Sequence, residues 1–239
     1  MNSQTIAPVF AEAVGTAALV CVVVGSGIAA SSLTDDAGLQ LLANSIATAM
    51  GLFVLISVLG PVSGAHLNPA VTVVDLFRPG SALSGRVGRA ALYVSAQLVG
   101  AIGGSVLANA MFDVPQALST SDRGGLGVLL GEVVATAGLI VVILLAARQG
   151  AGRAVALWVA AYIGSAYWFT SSTSFANPAV TVGRIFTDTF AGIAPASAAP
   201  FVMAQLLGAA VGVAVASLLL AWPPRVPRDA VAAPVVSSL

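Results

Sequence analysis

Two short motifs of identical sequence are the residues of this chain best suited to recognising a solute. Asn-Pro-Ala-Val-Thr-Val occurs at 68–73 and again at 177–182. Asparagine caps helix N-termini and proline is preset for the first helical turn, so each motif predicts the start of a helix. There the asparagine carbonyl oxygen caps the backbone, and its amide N–H groups can donate to a solute oxygen. The predicted solute-binding turns are Asn68, Pro69, Ala70 and Asn177, Pro178, Ala179.

The helices that follow these motifs are too short to cross a membrane. After Asn68 the chain is apolar only as far as Phe77, and after Asn177 only as far as Phe186. Each run holds about ten residues, half of the roughly 20 that a span needs, so each predicts a half-helix that begins at mid-bilayer. Irregular backbone at that depth, here residues 60–67, has to be buried in protein or face a water-filled cavity. Two half-helix N-termini meeting there repel cations and interrupt a proton wire.

The composition places these motifs in a membrane. Of the 239 residues, 58% are hydrophobic and 8% are charged, whereas a soluble domain has about 25% charged residues. A disordered chain is excluded too, because disorder requires low hydrophobicity and high net charge, and the formal net charge here is zero. The nine basic residues are all arginine and form no polybasic patch, so nucleic acid is not an expected partner. The predicted class is an all-α membrane protein in a lipid bilayer.

Six uncharged apolar stretches predict six transmembrane helices. They run at about 13–30, 41–61, 90–112, 133–147, 154–170 and 200–222. Seven of the nine arginines lie in the connections after the second and fourth stretches or after the sixth. Because cytoplasmic loops collect basic residues, both termini are predicted to be cytoplasmic. The proline-rich segment 223–239 is expected to be a flexible cytoplasmic tail.

The chain also contains an internal repeat. Besides the two Asn-Pro-Ala motifs, Ala-Gln-Leu at 96–98 matches Ala-Gln-Leu at 204–206. Each half, about 7–112 and 126–222, holds three predicted spans. An odd number of spans inverts the second half relative to the first, and inverted repeats place a solute site near the membrane midplane. Residues 1–239 are therefore predicted to form a single channel domain.

These features resemble the major intrinsic protein family, the aquaporins and glycerol facilitators. The resemblance covers about residues 11–222 and is carried by Glu12, Gly15, Thr16, Ser63 to Thr72, Gln97, Glu132, Asn177 to Ala179 and Gln205. It implies six transmembrane helices plus two re-entrant half-helices, with a pore in every subunit of a homotetramer.

The resemblance gives three ionisable residues supporting roles. Glu12 and Glu132 would be buried carboxylates that bind the backbone of the two re-entrant loops, since ionisable groups inside a membrane are usually partnered. The alternative places each carboxylate in water at a helix end. His66, the only histidine in the sequence, would support the first loop and present its carbonyl oxygen to the pore, and the alternative is a pH gate.

The selectivity filter is where the sequence departs from the family. Counting from the two asparagines, the resemblance assigns the filter to Thr48, Ser165, Ser174 and Val180. The family usually has an arginine in place of Val180 and bulkier residues elsewhere in the filter. The expected constriction is therefore wide, lined by hydroxyl groups and one aliphatic wall, and lacks a positive charge.

Two further features bear on the outer part of the pore. Arg184 lies one turn beyond Val180 and is expected at the hydrated mouth paired with Asp188, or else as a charge in the vestibule. The aromatic run Tyr167-Trp168-Phe169 is expected in the interfacial belt, with one of the three rings facing the pore as the alternative.

An arginine-free filter of this kind looks like that of bacterial family members associated with arsenic detoxification. The predicted function is a passive channel for small neutral solutes, namely polyols, metalloid hydroxides such as arsenous acid, and water, that excludes ions and protons. The alternatives are a water-selective or non-conducting family member and a secondary active transporter. An enzyme, a cofactor and a metal site are not expected, because the sequence offers no nucleophile with a base and no cluster of metal ligands. The all-arginine composition and the richness in alanine and valine suggest a bacterial inner membrane.

Overall fold

The architecture is helical throughout the part of the chain that the structure describes. A computed structural model describes residues 3–150 and 154–221, and those residues contain helices and no strand. The predicted tail at 223–239 lies outside the described residues. The helices are α1 Ser3–Leu33, α2 Ala37–Ser63, α3 Pro69–Phe77, α4 Val87–Met111, α5 Leu126–Arg148, α6 Ala154–Phe169, α7 Pro178–Gly183 followed by a 3-10 turn Arg184–Phe186, and α8 Pro195–Ala221.

The predicted spans correspond to α1, α2, α4, α5, α6 and α8. Five of these helices have the length and apolar composition to cross a membrane, and α6 is a shorter apolar helix whose described part has 16 residues. Large apolar side chains are exposed on the outside of the bundle, for example Leu126 at 88% and Leu218 at 76%. Because a soluble protein rarely exposes so much apolar surface, this is a multi-pass membrane protein.

The order of elements is the same in both halves of the chain. In each half two helices are followed by a half-helix and then by one more helix. The long helices pack in matching pairs, α1 against α4 and α5 against α8. Gly100 and Gly104 lie four residues apart, as do Gly208 and Gly212. This spacing predicts close packing of the helices, and the structure confirms it. The backbone carbonyl oxygen of Ala13 lies so close to Gly100 that a Cβ there would be 2.2 Å away, and Val133 faces Gly208 in the same manner at 2.5 Å.

The packing of α1 against α4 is tested by two neighbouring glycines. Gly100→Ala is expected to destabilise the protein by about 1–3 kcal/mol, because the new methyl group overlaps the Ala13 carbonyl. Gly103→Ala is the matched control, since a Cβ at Gly103 meets nothing within 4 Å and alanine favours a helix. Thermal unfolding of the purified protein in detergent measures the difference. Equal midpoints for the two variants would show that the helices do not approach this closely.

Both half-helices begin at the residues that the sequence predicts. The Asn68 side-chain oxygen accepts the N–H of Ala70 at 2.9 Å, and proline follows as the first helical residue. The Asn177 oxygen accepts the N–H of Ala179 at 3.0 Å and that of Val180 at 3.3 Å. Helix α7 has six residues, fewer than the sequence predicts, because the backbone tightens into the 3-10 turn after it.

The irregular segment before α3 is shorter than predicted. Residues 60–67 were expected to be irregular, but α2 continues through Pro61 to Ser63. Pro61 has no N–H to donate to the carbonyl four residues earlier, so the last turn of α2 continues with one backbone hydrogen bond fewer. Gly64 ends the helix in the left-handed conformation, with φ 91° and its N–H bonded to the Gly60 carbonyl.

Candidate functional site

The two asparagines lie side by side and join the two re-entrant loops. Asn68 Nδ2 donates to the Ala176 carbonyl oxygen at 2.8 Å, and Asn177 Nδ2 donates to the Leu67 carbonyl oxygen at 2.7 Å. Each amide therefore caps its own half-helix through oxygen and binds the other loop through nitrogen. An amide nitrogen carries two hydrogens, so one N–H of each asparagine remains for a solute in the cavity that both residues line.

The backbone leading into each half-helix has an uncommon conformation. In the first loop Ala65 and Leu67 have φ of 47° and 48°, and in the second Ser174 and Ala176 have φ of 52° and 48°. A left-handed φ costs a non-glycine residue about 1–3 kcal/mol. Contacts outside the loops must therefore hold these residues in place.

Glu12 supplies these contacts for the first loop. Its carboxylate accepts the backbone N–H of His66 at 2.9 Å and of Leu67 at 2.7 Å. It also accepts the Ser63 hydroxyl and the Gln97 amide, both at 2.6 Å. Glu12 is 0% exposed, so the alternative of a carboxylate in water at a helix end is wrong.

Glu132 holds the second loop by the same arrangement. Its carboxylate accepts the backbone N–H groups of Phe175 and Ala176, both at 2.9 Å, and the side-chain amide of Gln205. Glu132 is also 0% exposed. In both halves a buried glutamate binds a glutamine and the backbone N–H groups of a loop with two left-handed residues. This arrangement holds each Asn-Pro-Ala turn in place.

The glutamates also orient the loop carbonyl groups. In a trans peptide the N–H and C=O groups point in opposite directions, and the described residues contain no cis peptide. Since Glu12 binds the N–H groups of His66 and Leu67, the carbonyl oxygens of Ala65 and His66 point away from it, toward the cavity that these residues line. The loops thus offer acceptors beside the asparagine donors.

A cavity of about 280 Å³ extends past both asparagines. At one end, here called the Asp75 end, it is lined by Asp75, Arg78 and Ala82, and at the other it reaches Arg184. Much of the remaining wall is aliphatic: Leu19, Val23, Leu52, Leu139, Ile143 and Val159. A solute in this cavity would meet polar groups along the two loops and an apolar surface elsewhere.

Three of the four residues predicted for the filter line this cavity. Thr48, Ser174 and Val180 are buried and in its wall, with 3%, 3% and 5% exposure. The assignment of Ser165 is wrong, because its side chain is exposed and its hydroxyl donates to the Tyr162 carbonyl oxygen. A helix turns by about 100° per residue, so a counting error of two residues from Asn177 moves a side chain to the opposite face.

Helix α6 contributes Tyr167 to the cavity in place of Ser165. The tyrosine is 4% exposed, and its hydroxyl donates to the Thr48 hydroxyl oxygen at 3.1 Å. The expectation of an interfacial position is therefore wrong for Tyr167, whereas Trp168 and Phe169 are exposed at 51% and 56%. The cavity wall consequently contains an aromatic ring, in agreement with the alternative that one of the three rings faces the pore, whereas the predicted filter lacked such a ring.

Arg184 is buried and is not at a hydrated mouth. It is 3% exposed, its Nε donates to the Ala191 carbonyl oxygen, and its guanidinium carbon lies 3.4 Å from the centre of the Phe175 ring. The expected pairing with Asp188 is also wrong, because that carboxylate accepts the N–H and the hydroxyl of Thr120. The family usually has an arginine where this chain has Val180. The side chain of Arg184 nevertheless places a guanidinium group in the cavity wall.

A second cavity of about 230 Å³ adjoins Arg184. We call it the Arg184 vestibule, and it is lined by Ala37, Leu41, Asn44, Arg123, Thr173, Arg184 and Phe190. The Arg123 guanidinium donates to the carbonyl oxygens of Gly192 and Phe190 and lies 5.1 Å from the Phe175 ring centre. Burial lowers the pKa of Arg123. Within residues 3–150 and 154–221 neither arginine forms an ion pair.

His66 lies in the cavity wall near the Asp75 end. Its Nδ1 is 3.2 Å from the Thr72 hydroxyl, its Nε2 is 3.8 Å from Asp75, and its ring meets the edge of Tyr93. Asp75 in turn pairs with Arg78 at 2.8 Å. These contacts favour the supporting role for His66 over a pH gate, and that role stays a prediction.

Phe175 lines the cavity, and the sequence analysis did not select it although the internal repeat points to it. It occupies the same position before Asn177 that His66 occupies before Asn68, so the repeat alone assigns it to the pore. Arg123 carries no comparable signal, because it belongs to the connection between α4 and α5.

Comparisons with known proteins agree with this architecture. The model of the major intrinsic protein family matches residues 1–175. The chain is 51% identical to aquaglyceroporin AqpS of Rhizobium meliloti (strain 1021) over 213 residues, which is 88% of each chain. It is 37% identical to the probable aquaporin TIP2-2 of rice, Oryza sativa subsp. japonica, over 54% of this chain and 52% of that one.

A solved structure shares the fold. The X-ray structure of the aquaglyceroporin from Plasmodium falciparum superposes with a TM-score of 0.67 over 91% of this chain and 100% of that one, at 19% identity. With the family match over 175 residues and the 51% identity above, the chain belongs to the major intrinsic protein family, whose members are membrane channels and not enzymes.

Proposed function

We propose that the protein is a passive channel for small neutral solutes, including glycerol-like polyols and water. The observation that carries this proposal is the cavity that extends past both Asn-Pro-Ala turns, with a few fixed donors and acceptors along the loops and an aliphatic wall opposite. Such a lining replaces part of the water shell of a hydroxylated solute but gives little to an ion. The name of the relative from Rhizobium meliloti, an aquaglyceroporin, supports the same solute class.

Metalloid hydroxides are the finer part of the proposal. Arsenous acid is neutral at pH 7 and displays hydroxyl groups much as a polyol does. Thr48 and Val180 are small residues in the cavity wall, where the family usually has bulkier or charged ones. The small size of these two side chains supports passage of solutes larger than water.

Exclusion of protons and cations is proposed to come from the meeting of the half-helices. Helices α3 and α7 are capped at their N-termini by Asn68 and Asn177, which bind each other's loops. Helix N-termini carry partial positive charge, and the asparagine N–H groups force a passing water to accept hydrogen bonds. A chain of waters that could relay protons is broken at that point.

The proposed setting is a bacterial inner membrane with both termini in the cytoplasm, because most arginines lie in the connections on one side. The two halves of the chain are proposed to cross the membrane in opposite directions, and the channel to assemble as a homotetramer with one pore per subunit. Crosslinking of the purified protein followed by mass measurement tests the assembly.

A water-selective channel is the second candidate, and specific residues favour it. Tyr167 and Arg184 both line the cavity near Val180, and an aromatic ring with a guanidinium group narrows a pore. The two candidates differ in whether glycerol and arsenous acid pass.

The test is stopped-flow light scattering on proteoliposomes with water, glycerol, urea and arsenous acid. Val180→Arg is expected to lower the permeability to glycerol and arsenous acid by about tenfold or more and that to water much less, because it adds a long charged side chain to the cavity wall one turn before Arg184. If wild-type vesicles pass water quickly but take up glycerol and arsenous acid no faster than empty liposomes, the water-selective candidate is favoured. Slow water flux as well would contradict both.

A further inference from the structure

The Arg184 vestibule brings two arginines together near one face of the membrane. Its wall includes Ala37 at the start of α2, Arg123 in the connection between α4 and α5, and Phe190 in the connection before α8. Because these residues belong to connections and a helix end, the vestibule lies near the membrane surface. The main cavity begins beside it, since Arg184 lines both cavities.

The two guanidinium groups are close enough to bind one ligand together. The guanidinium carbon of Arg184 lies 3.4 Å from the centre of the Phe175 ring, and that of Arg123 lies 5.1 Å from the same point. The two carbons are therefore at most 8.5 Å apart, the total of these distances. Both arginines line the vestibule and Phe175 does not, so the ring does not separate them there. A charged N–H donor and an anionic oxygen meet at about 2.8 Å, so one small anion can bridge the two groups.

Both arginines keep donors that a ligand can reach. Arg184 uses Nε on the Ala191 carbonyl oxygen, and Arg123 uses Nε and Nη2 on two backbone carbonyl oxygens. Within the described part of the chain, both Nη groups of Arg184 and Nη1 of Arg123 have no acceptor. None of these nitrogens is among the fully buried unpaired atoms of that part. A ligand in the vestibule can therefore contact them.

No carboxylate among the described residues lines the vestibule. The charge of Glu132 acts on both arginines, but its oxygens accept the N–H groups of the second loop. The exposed carboxylates of Asp122 and Asp188 bind Ser197 and Thr120. The two guanidinium groups thus meet in a wall without a negative group, and such a wall attracts an anion.

We propose that Arg123 and Arg184 bind one small oxyanion in the vestibule, either a carboxylate or a tetrahedral anion such as sulfate. The paired N–H donors of a guanidinium group match two oxygens of such an anion. The anion is held and not conducted, because the main cavity beyond Arg184 has a largely aliphatic wall, where a desolvated charge is unfavourable. A bound anion blocks the end of the solute path beside Arg184. The site itself is independent of the proposed channel function, and the block rests on it.

The site is tested by thermal unfolding of the purified protein in detergent with sodium sulfate or sodium acetate, against sodium chloride at equal ionic strength. One or both oxyanions are expected to raise the melting temperature by about 3 °C, with saturation at about 10 mM, because a ligand that binds only the folded state stabilises it. Sulfate also stabilises proteins by exclusion from their surface, an effect distinguished here by its lack of saturation. The absence of a saturating rise with both oxyanions would overturn the site.

The assignment of Arg123 is tested with two variants. Arg123→Gln is expected to abolish the saturating rise, because it removes one of the two charges. Arg123→Lys keeps the charge without the forked donors and serves where the glutamine variant does not fold; its half-saturating concentration should increase about threefold or more. Arg86→Gln is the matched control, since Arg86 is exposed directly before α4. An unchanged half-saturating concentration in either Arg123 variant would overturn the role of Arg123.

The block is tested by glycerol uptake into proteoliposomes. The oxyanion that gives the rise is present on both sides of the membrane at ten times its half-saturating concentration, because channels insert in both directions. Uptake is expected to fall about fivefold or more in wild type and Arg86→Gln, and little in Arg123→Gln. Unchanged wild-type uptake would overturn the block. If wild-type vesicles take up glycerol no faster than empty liposomes even without the oxyanion, the channel function fails, and the melting experiment still decides the site.

Discussion

Glu132→Ala is expected to prevent the second loop from holding its fold. The substitution leaves the N–H groups of Phe175 and Ala176 and the amide of Gln205 without their acceptor. Each unpaired buried donor costs about 1–3 kcal/mol, and the strained φ of Ala176 loses its support. The loss of several kcal/mol should lower the melting temperature in detergent by at least about 10 °C.

Asp35→Ala is the matched control, because that carboxylate is exposed. Glu132→Gln should fall between the two, since its amide oxygen accepts one backbone N–H while its amide nitrogen faces the other. A melting temperature for Glu132→Ala within a few degrees of the control would mean that the carboxylate does not hold the loop. The same series at Glu12 is expected to give the same order, because the first loop is bound in the same manner.

Asn68→Ala and Asn177→Ala are each expected to destabilise the junction of the half-helices by about 2–4 kcal/mol. Each removes a helix cap, worth about 1 kcal/mol, and leaves a buried carbonyl oxygen of the other loop without a donor, worth about 1–3 kcal/mol. The carbonyl belongs to Ala176 in the first variant and to Leu67 in the second.

The two substitutions should also be coupled. Each asparagine joins the same pair of loops, so losing one loosens the geometry that the other needs. In a double-mutant cycle on unfolding in detergent, the double variant is expected to lose about 0.5–3 kcal/mol less than the sum of the single variants. Strict additivity would indicate that each asparagine acts only on its own half-helix.

The positions of the half-helices follow from local sequence, and that is why they were predictable. An asparagine followed by proline fixes a cap and a first turn within three residues, and both starts lie at the predicted positions, Pro69 and Pro178. The end of α2 was harder to predict, because Pro61 indicates a helix end, whereas the helix continues to Ser63 and ends at Gly64, which has the left-handed conformation.

Which side chains line the cavity depends on the rotation of each helix about its axis and on tertiary contacts. The sequence predicts these residues less well than the half-helices. Ser165 and Tyr167 differ by two positions, yet one faces outward and the other lines the cavity. The direction of the Arg184 side chain is set by Phe175 and by the Ala191 carbonyl, contacts that no spacing reveals. The repeat did contain the position of Phe175, through its equivalence to His66.

The path of the solute is tested most directly by a thiol placed in the cavity wall. In a Cys21→Ala background, Val180→Cys introduces a cysteine into the cavity and Ser165→Cys introduces one outside it. Mercuric chloride is expected to lower glycerol flux through the Val180→Cys channel by about tenfold, reversibly with added thiol, and to leave the Ser165→Cys channel unchanged. A Val180→Cys channel that binds mercury in full and still conducts glycerol at its original rate would place the path elsewhere.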